Sequence, residues 1–212
     1  MFYTKITMLK DFFFDLIRNY TDNENTINYL WNEIEKNYSN HRRYYHTLQH
    51  LENLLVQLVE VKEKIQNWNI ILFSIYYHDA IYNVLKSDNE QRSAALAEKR
   101  MLQIGVDNQI INICKMQIMA TQSHAQSADN DTNYFTDADL SVLGQSWNIY
   151  EIYYKNVRKE YIIYPDIIYN SGRKKVLHHF LSMDRIFKTE FFNSKLENQA
   201  KENLQKELYL LK

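Results

Sequence analysis

Residues 69 to 84 read NIILFSIYYHDAIYNV, a segment apolar almost all round that nevertheless carries His78 and Asp79. Such a run, bordered by polar residues, predicts a buried helix over 69–85 with the histidine and aspartate at its middle. An ionised carboxylate is costly to bury, because the interior cannot replace its hydration. Asp79 therefore needs a cation: an arginine, a protonated His78 or a metal ion.

The preceding stretch, RRYYHTLQHLENLL at 42 to 55, places His46 and His50 four apart at the start of an expected helix. Residues at i and i+4 share a helix face, so both imidazoles should point into the same space. Downstream, FTDADLSVLG at 135 to 144 sets Asp137 and Asp139 ahead of an expected helix start, where Asp137 or Thr136 can also serve as a cap. Together His46, His50, His78, Asp79 and Asp139 offer neutral nitrogens and hard oxygens. That mixture suits Zn, Mn, Fe or Mg better than a thiolate-selecting site does.

Outside these segments the chain reads as helix. Three glycines and one proline in 212 residues are too few for the tight turns of a β-rich fold. Helical apolar spacing runs through 5–20, 24–38, 46–66, 69–85, 89–104, 107–122, 146–164, 173–192 and 194–211. Gly105 should close the helix ending KRMLQIG, and Ser87 with Glu90 has the capping-box spacing that opens it. The polar stretch AQSADNDTN at 125–133 is expected to be a mobile loop. The expectation is an all-α, single-domain protein over 1–212.

Composition narrows the function classes. With 25 basic and 26 acidic side chains the net charge is −1, and the basic cluster HRR at 41–43 is far short of a phosphate-binding stripe, so no nucleic-acid partner is expected. No apolar run approaches the ~20 residues of a membrane span, so no membrane partner is expected either. The N-terminal MFYTKITMLKDFFFDLI carries Asp11 and Asp15 within its apolar pattern and reads as an amphipathic helix rather than a signal peptide. The single cysteine, Cys114, lies in the apolar run IINICKMQIM, reads as a small buried residue and fits a reducing, cytoplasmic setting. The C-terminal NSKLENQAKENLQKELYLLK can pack on the domain or pair with a second copy, leaving a homo-oligomer open.

In order along the chain stand RRYYHTLQH ending at His50, HDAIY at 78–82, DNEQRSA at 88–94, TQSH at 121–124, DADL at 137–140 and RKEY at 158–161. This series resembles the HD-domain superfamily of metal-dependent phosphohydrolases, in particular an uncharacterised bacterial subgroup, over roughly residues 40–180. The resemblance implies an HD-type helical bundle with a metal site between helices, His50, His78, Asp79 and Asp139 holding a divalent ion (Mn, Fe, Mg, Zn or Co). Asp137 is the alternative to Asp139 if the register differs. The similarity of YHTLQH to the run in cyclic-nucleotide phosphodiesterases implies that His46 is the general acid. The implied activity is hydrolysis of a small phosphorylated metabolite, a nucleotide or nucleotide-derived signal, by a metal-activated water. A catalytically silent module that binds metal or nucleotide and acts through a protein partner is the alternative.

Further residues have two readings each. Arg43 can fork hydrogen bonds to a substrate phosphate or form a surface salt bridge. Glu90 can cap its helix or act catalytically on the metal-bound water. His124 can bind substrate or a second metal, or sit at a helix C-terminus where the dipole favours it. Arg158, Glu160 and Arg173 include a candidate buried ion pair, and His178 and His179 read as ordinary.

Overall fold

In the computed structural model the backbone is described for residues 2–211 and the side chains for residues 8–211. The described residues form ten α-helices and two short 3-10 turns, with no strand, as the scarcity of glycine and proline predicts. The chain divides into two compact units, residues 1–136 and 137–212.

The first unit contains α1 (Phe2–Arg18), α2 (Glu24–Tyr38), α3 (Leu48–Val59), α4 (Trp68–Tyr77), α5 (Asn89–Gln103), α6 (Asn108–Ala120) and most of α7 (Asn130–Asp139). Its central helix is α4, packed by α1, α3, α5 and α6. From Ile70 onward every residue of α4 is buried, as its unbroken apolar sequence requires. Phe13 meets Tyr76 edge to face with ring centres 4.9 Å apart, and the Tyr76 hydroxyl donates to the Leu9 carbonyl at 2.7 Å. Gly105 closes α5 as expected: it sits at φ +76°, and the Val106 N–H reaches back to the Met101 carbonyl.

Several boundaries differ from the periodicity. The helix expected to run to 85 stops at Tyr77, so His78 and Asp79 stand at its end and not at its middle. The Ile75 carbonyl, which a continuing helix would give to the Asp79 N–H, instead accepts from His78 Nδ1 at 2.9 Å. The Asp79 N–H turns to the Tyr38 hydroxyl at 3.2 Å. At the other end of α4, the Asp131 carboxylate accepts from the Gln66 and Asn67 N–H groups at 2.9 and 2.8 Å, holding the entry to the helix. The expected loop 125–133 gives way at Asn130 to α7, for which Asp129 accepts from the Thr132 N–H as a cap would. Finally, α5 opens at Asn89 with Asp88 before it, so the Ser87–Glu90 capping box is not formed. The Asn89 side chain instead bonds the Asn83 backbone.

The second unit contains a 3-10 turn (Leu140–Gly144), α8 (Trp147–Glu160), α9 (Asp166–Leu181) and α10 (Glu190–Leu210). The turn lies so close to α10 that a Cβ on Gly144 would stand 2.5 Å from Leu196 Cβ and 2.6 Å from its carbonyl oxygen, which only glycine avoids. Helix α9 starts right after Pro165, and α10 at Glu190, so the break expected near 193 falls at 182–189. Two buried carboxylates make that break. Glu197 accepts from the Ile186 and Phe187 N–H groups, and Asp137 from those of Lys188 and Thr189 at 2.9 and 2.7 Å. Burial works against ionisation of Glu197, but these backbone donors and Lys201 outweigh it and hold its pKa below the usual value.

Arg173 and Glu207 form a buried bidentate pair at 2.7 and 2.8 Å, with the Tyr150 hydroxyl also on the carboxylate. The buried pair expected among Arg158, Glu160 and Arg173 thus forms between Arg173 and Glu207 of α10 and not with Glu160. Removing one member strands the other charge. Glu207→Ala is expected to lower stability by about 3–5 kcal/mol, while Arg173→Met/Glu207→Leu recovers most of the loss, as urea denaturation will read.

Candidate metal centre

Four side chains of the first unit converge beyond the end of α4. His50 sits in the first turn of α3, and His78 and Asp79 follow α4 directly. His46 lies ahead of α3, not on its face as the i, i+4 spacing implied, because Thr47 is extended (φ −114°, ψ 178°) and the helix begins only at Leu48. The two imidazoles are neighbours nonetheless, with ring centres 5.8 Å apart.

All three rings address one oxygen. Asp79 Oδ2 stands 3.2 Å from His78 Nε2, 3.8 Å from His50 Nε2 and 3.9 Å from His46 Nε2. His50 Nε2 and His78 Nε2 are themselves 3.1 Å apart. Because a carbonyl can only accept, His78 Nδ1 is the protonated nitrogen toward Ile75, and in the neutral ring Nε2 then has only a lone pair to offer. That lone pair faces a carboxylate oxygen at contact distance in a buried place. A cation among these atoms, either a proton or a metal ion, removes the conflict. The arrangement fits a metal: imidazoles that bind metal commonly give their other N–H to a backbone carbonyl, as His78 does.

Burial of Asp79 disfavours its charge, but the positive charge of its imidazole neighbours in their protonated form, His78 first and then His46 and His50, holds its pKa well below the ordinary carboxylate range. Accessibility is graded. The side chains of His78 and His50 are 1% and 3% exposed, those of Asp79 and His46 18% and 19%. His46 is thus the imidazole of the cluster that solvent can reach.

The surroundings hold these groups in place. Arg43 Nη1 donates to the His46 and Asp79 carbonyls at 3.2 and 2.7 Å, and Nη2 to the Ala80 carbonyl at 3.1 Å. Its guanidinium also lies over the Tyr38 and Tyr82 rings. Arg43 thus clasps the loop bearing His46 to the turn bearing Asp79, in place of the phosphate fork or surface salt bridge expected of it. Tyr82 packs on His46 with ring centres 4.2 Å apart, and Phe135 meets His78 edge to face at 5.7 Å. Ser93 Oγ accepts from the Ile81 N–H and donates to its carbonyl, fixing the continuation of the turn.

Asp139 is the last residue of α7, so Asp137 and Asp139 close a helix where a helix start was expected. Asp137 is fully buried and engaged by Lys188 and Thr189, whose hydroxyl also donates to it at 2.7 Å, which spends both its oxygens.

Glu90 is half-buried in the first turn of α5. His124 follows α6 at φ +51°, its N–H on the Ala120 carbonyl. Arg158 pairs with Asp166 at 2.6 Å and bonds the Tyr161 and Tyr164 carbonyls, joining α8 to α9. His178 and His179 are exposed. Tyr38 and Ser93 were missed as supports of the site; Ser93 lay within the quoted DNEQRSA motif, whereas nothing local marks Tyr38.

Comparison with protein-family models, with curated proteins and with solved structures returns no match.

A ligand that binds only the folded chain stabilises it by mass action. Manganese or zinc added to the chelator-treated protein at a hundred times its Kd should therefore raise the unfolding free energy by about 2.7 kcal/mol. His78→Gln should abolish the gain, as denaturation with and without the ion will measure.

Proposed function

We propose that the chain is an HD-type, metal-dependent phosphohydrolase acting on a small phosphorylated metabolite, a nucleotide or a nucleotide-derived signal. The observation that carries this reading is the convergence of three imidazoles on the single oxygen Asp79 Oδ2, with two ring nitrogens 3.1 Å apart and buried. Supporting it is the order of motifs along the chain.

In this reading His50, His78, Asp79 and Asp139 hold a divalent ion, which when bound supplies positive charge to phosphoryl oxygens and acidifies water. His46 is the proton donor. It is more exposed than His50 and His78. In this role it delivers a proton from Nε2 to the departing oxygen, a contribution of about 10²–10⁴-fold in rate. Tyr82 fixes the plane of the His46 ring by packing on it, and Arg43 fixes the backbone on both sides. Arg43 acts as a positioning residue because its Nη donors are engaged by carbonyls.

The test combines metal analysis of the purified protein with a phosphate-release screen over nucleotides, adding Mn, Mg, Fe, Co and Zn separately. Asp79→Ala should lose both bound metal and turnover. His46→Ala should keep the metal and lose rate by about 10²–10⁴-fold. Loss of metal from His46→Ala would instead exchange the roles of His46 and a ligand, and a wild-type protein that binds no divalent ion would end the proposal.

A further inference from the structure

Residues 158–175, which join α8 to α9, read RKEYIIYPDIIYNSGRKK. Ile162, Ile163, Ile167 and Ile168 are 75%, 59%, 86% and 57% exposed. Scattered apolar side chains are ordinary on a surface, but four large ones within seven residues form a patch of the kind that marks an interaction site. The first two follow the end of α8 and the last two open α9 just after Pro165, so all four stand at one end of this helix pair. Arg158 ties that end together through the Tyr161 and Tyr164 carbonyls and the Asp166 carboxylate.

The charges behind the patch identify its partner. Residues 155–175 hold six cations and two acids, although the whole chain has a net charge of −1. The carboxylates of this region are taken: Asp166 by Arg158, Glu151 by Lys155 and Glu207 by Arg173, while Glu160 is buried. Lys174 and Lys175 make no ion pair among the described residues. Each follows an exposed isoleucine by seven residues, Lys174 after Ile167 and Lys175 after Ile168. Each therefore shares a helix face with its isoleucine two turns away, roughly 10 Å along the axis. A bilayer surface has this layering, since docked apolar side chains reach about 5–10 Å into the boundary of headgroups and acyl chains, with the phosphates outside. Tyr161 and Tyr164, partly exposed beside the isoleucines, are of the residue type enriched at that boundary. A second copy docked by the same end would bring the same lysines and no spare carboxylate to match them.

We propose that the α8–α9 end is a docking tip for an anionic phospholipid surface, its four isoleucines entering the interface while Lys174 and Lys175 meet the lipid phosphates. No described helix is long and apolar enough to cross a membrane, and none is needed here: surface attachment takes a few inserted side chains and a cationic rim. Asp166 lies within the tip, but Arg158 neutralises it at 2.6 Å. This assignment is independent of any reaction at the histidine cluster.

The experiment mixes the full chain with vesicles of equimolar phosphatidylglycerol and phosphatidylcholine, or of phosphatidylcholine alone, and reads binding by flotation. The anionic vesicles should bind about 30-fold more tightly, the worth of two lysines near the surface, and lose that advantage in high salt. Lys174→Gln/Lys175→Gln should remove the advantage. Ile163→Ser/Ile167→Ser should weaken binding to the anionic vesicles at least about 10-fold without lowering the thermal midpoint. If the midpoint falls, Ile167→Ser alone, at the most exposed of the four, replaces it. The proposal is overturned by an absence of flotation with the anionic vesicles, by equal binding to both kinds, or by binding that survives the serine substitutions. A dimer in sedimentation that the serine substitutions dissociate overturns it too, marking the isoleucines as a contact between copies.

Discussion

The Ile75 carbonyl oxygen is the acceptor that a continuing helix would offer to the Asp79 N–H, and here it goes to an imidazole. That exchange stops α4 in the middle of an apolar segment, turns the His78 ring so that Nε2 faces the cluster, and frees the Asp79 N–H for Tyr38. Every other feature of the cluster depends on this turn being held. Arg43 bonds its carbonyls, Ser93 bonds its continuation, and Tyr82, which follows it, packs on His46. The groups around the turn are neutral or singly charged donors directed at backbone. They position the imidazoles without competing for the carboxylate, leaving Asp79 Oδ2 to the three rings.

Much of this was legible in the residue pattern, and what escaped it has definite causes. Apolar periodicity locates α2, α5 and α6 closely, because their buried faces are mostly apolar and recur at helical spacing. It overruns α4, because nothing in a run such as IYYHDAIY marks where a ring nitrogen will replace a backbone N–H. It misses α7 altogether. The residues NDTNYFTDAD are mostly polar, yet Asp131, Thr132, Asn133, Thr136 and Asp137 are buried, each satisfied by bonds that composition does not reveal. The break between α9 and α10 was misplaced for a related reason: Glu197 and Asp137 hold the backbone of 186–189 from far along the chain. For the candidate site, residue types and their order pointed to His46, His50, His78 and Asp79, which do come together. The supporting groups were less visible, since the sequence offers Arg43 a phosphate or a surface salt bridge with equal ease and Tyr38 has no local signature.

The second unit relies on buried ionic groups to a degree unusual for a short helical segment. Arg173 with Glu207, and Lys188 with Asp137, lie at or below 8% exposure in every side chain. Desolvation is the larger influence on Lys188 and lowers its pKa, with Asp137, Asp139 and Glu197 opposing it. Such pairs add little net stability compared with apolar packing, but they penalise any arrangement that separates them. They make α10 specific in its seat: Gly144 permits the close approach, and Asn203 Nδ2 ties the Leu143 and Gln145 carbonyls to the same helix.

Cys114 lies on α6, buried against Ser74 of α4, with its thiol pushed up to about 12 mainly by burial. A thiol in that state forms almost no thiolate and is shielded from reagents, so alkylation must wait until the α4–α6 contact separates. Being the only cysteine, it makes the chain its own clock for such openings: the rate at which a maleimide attaches reads how often the helix that carries the histidine–aspartate turn comes loose.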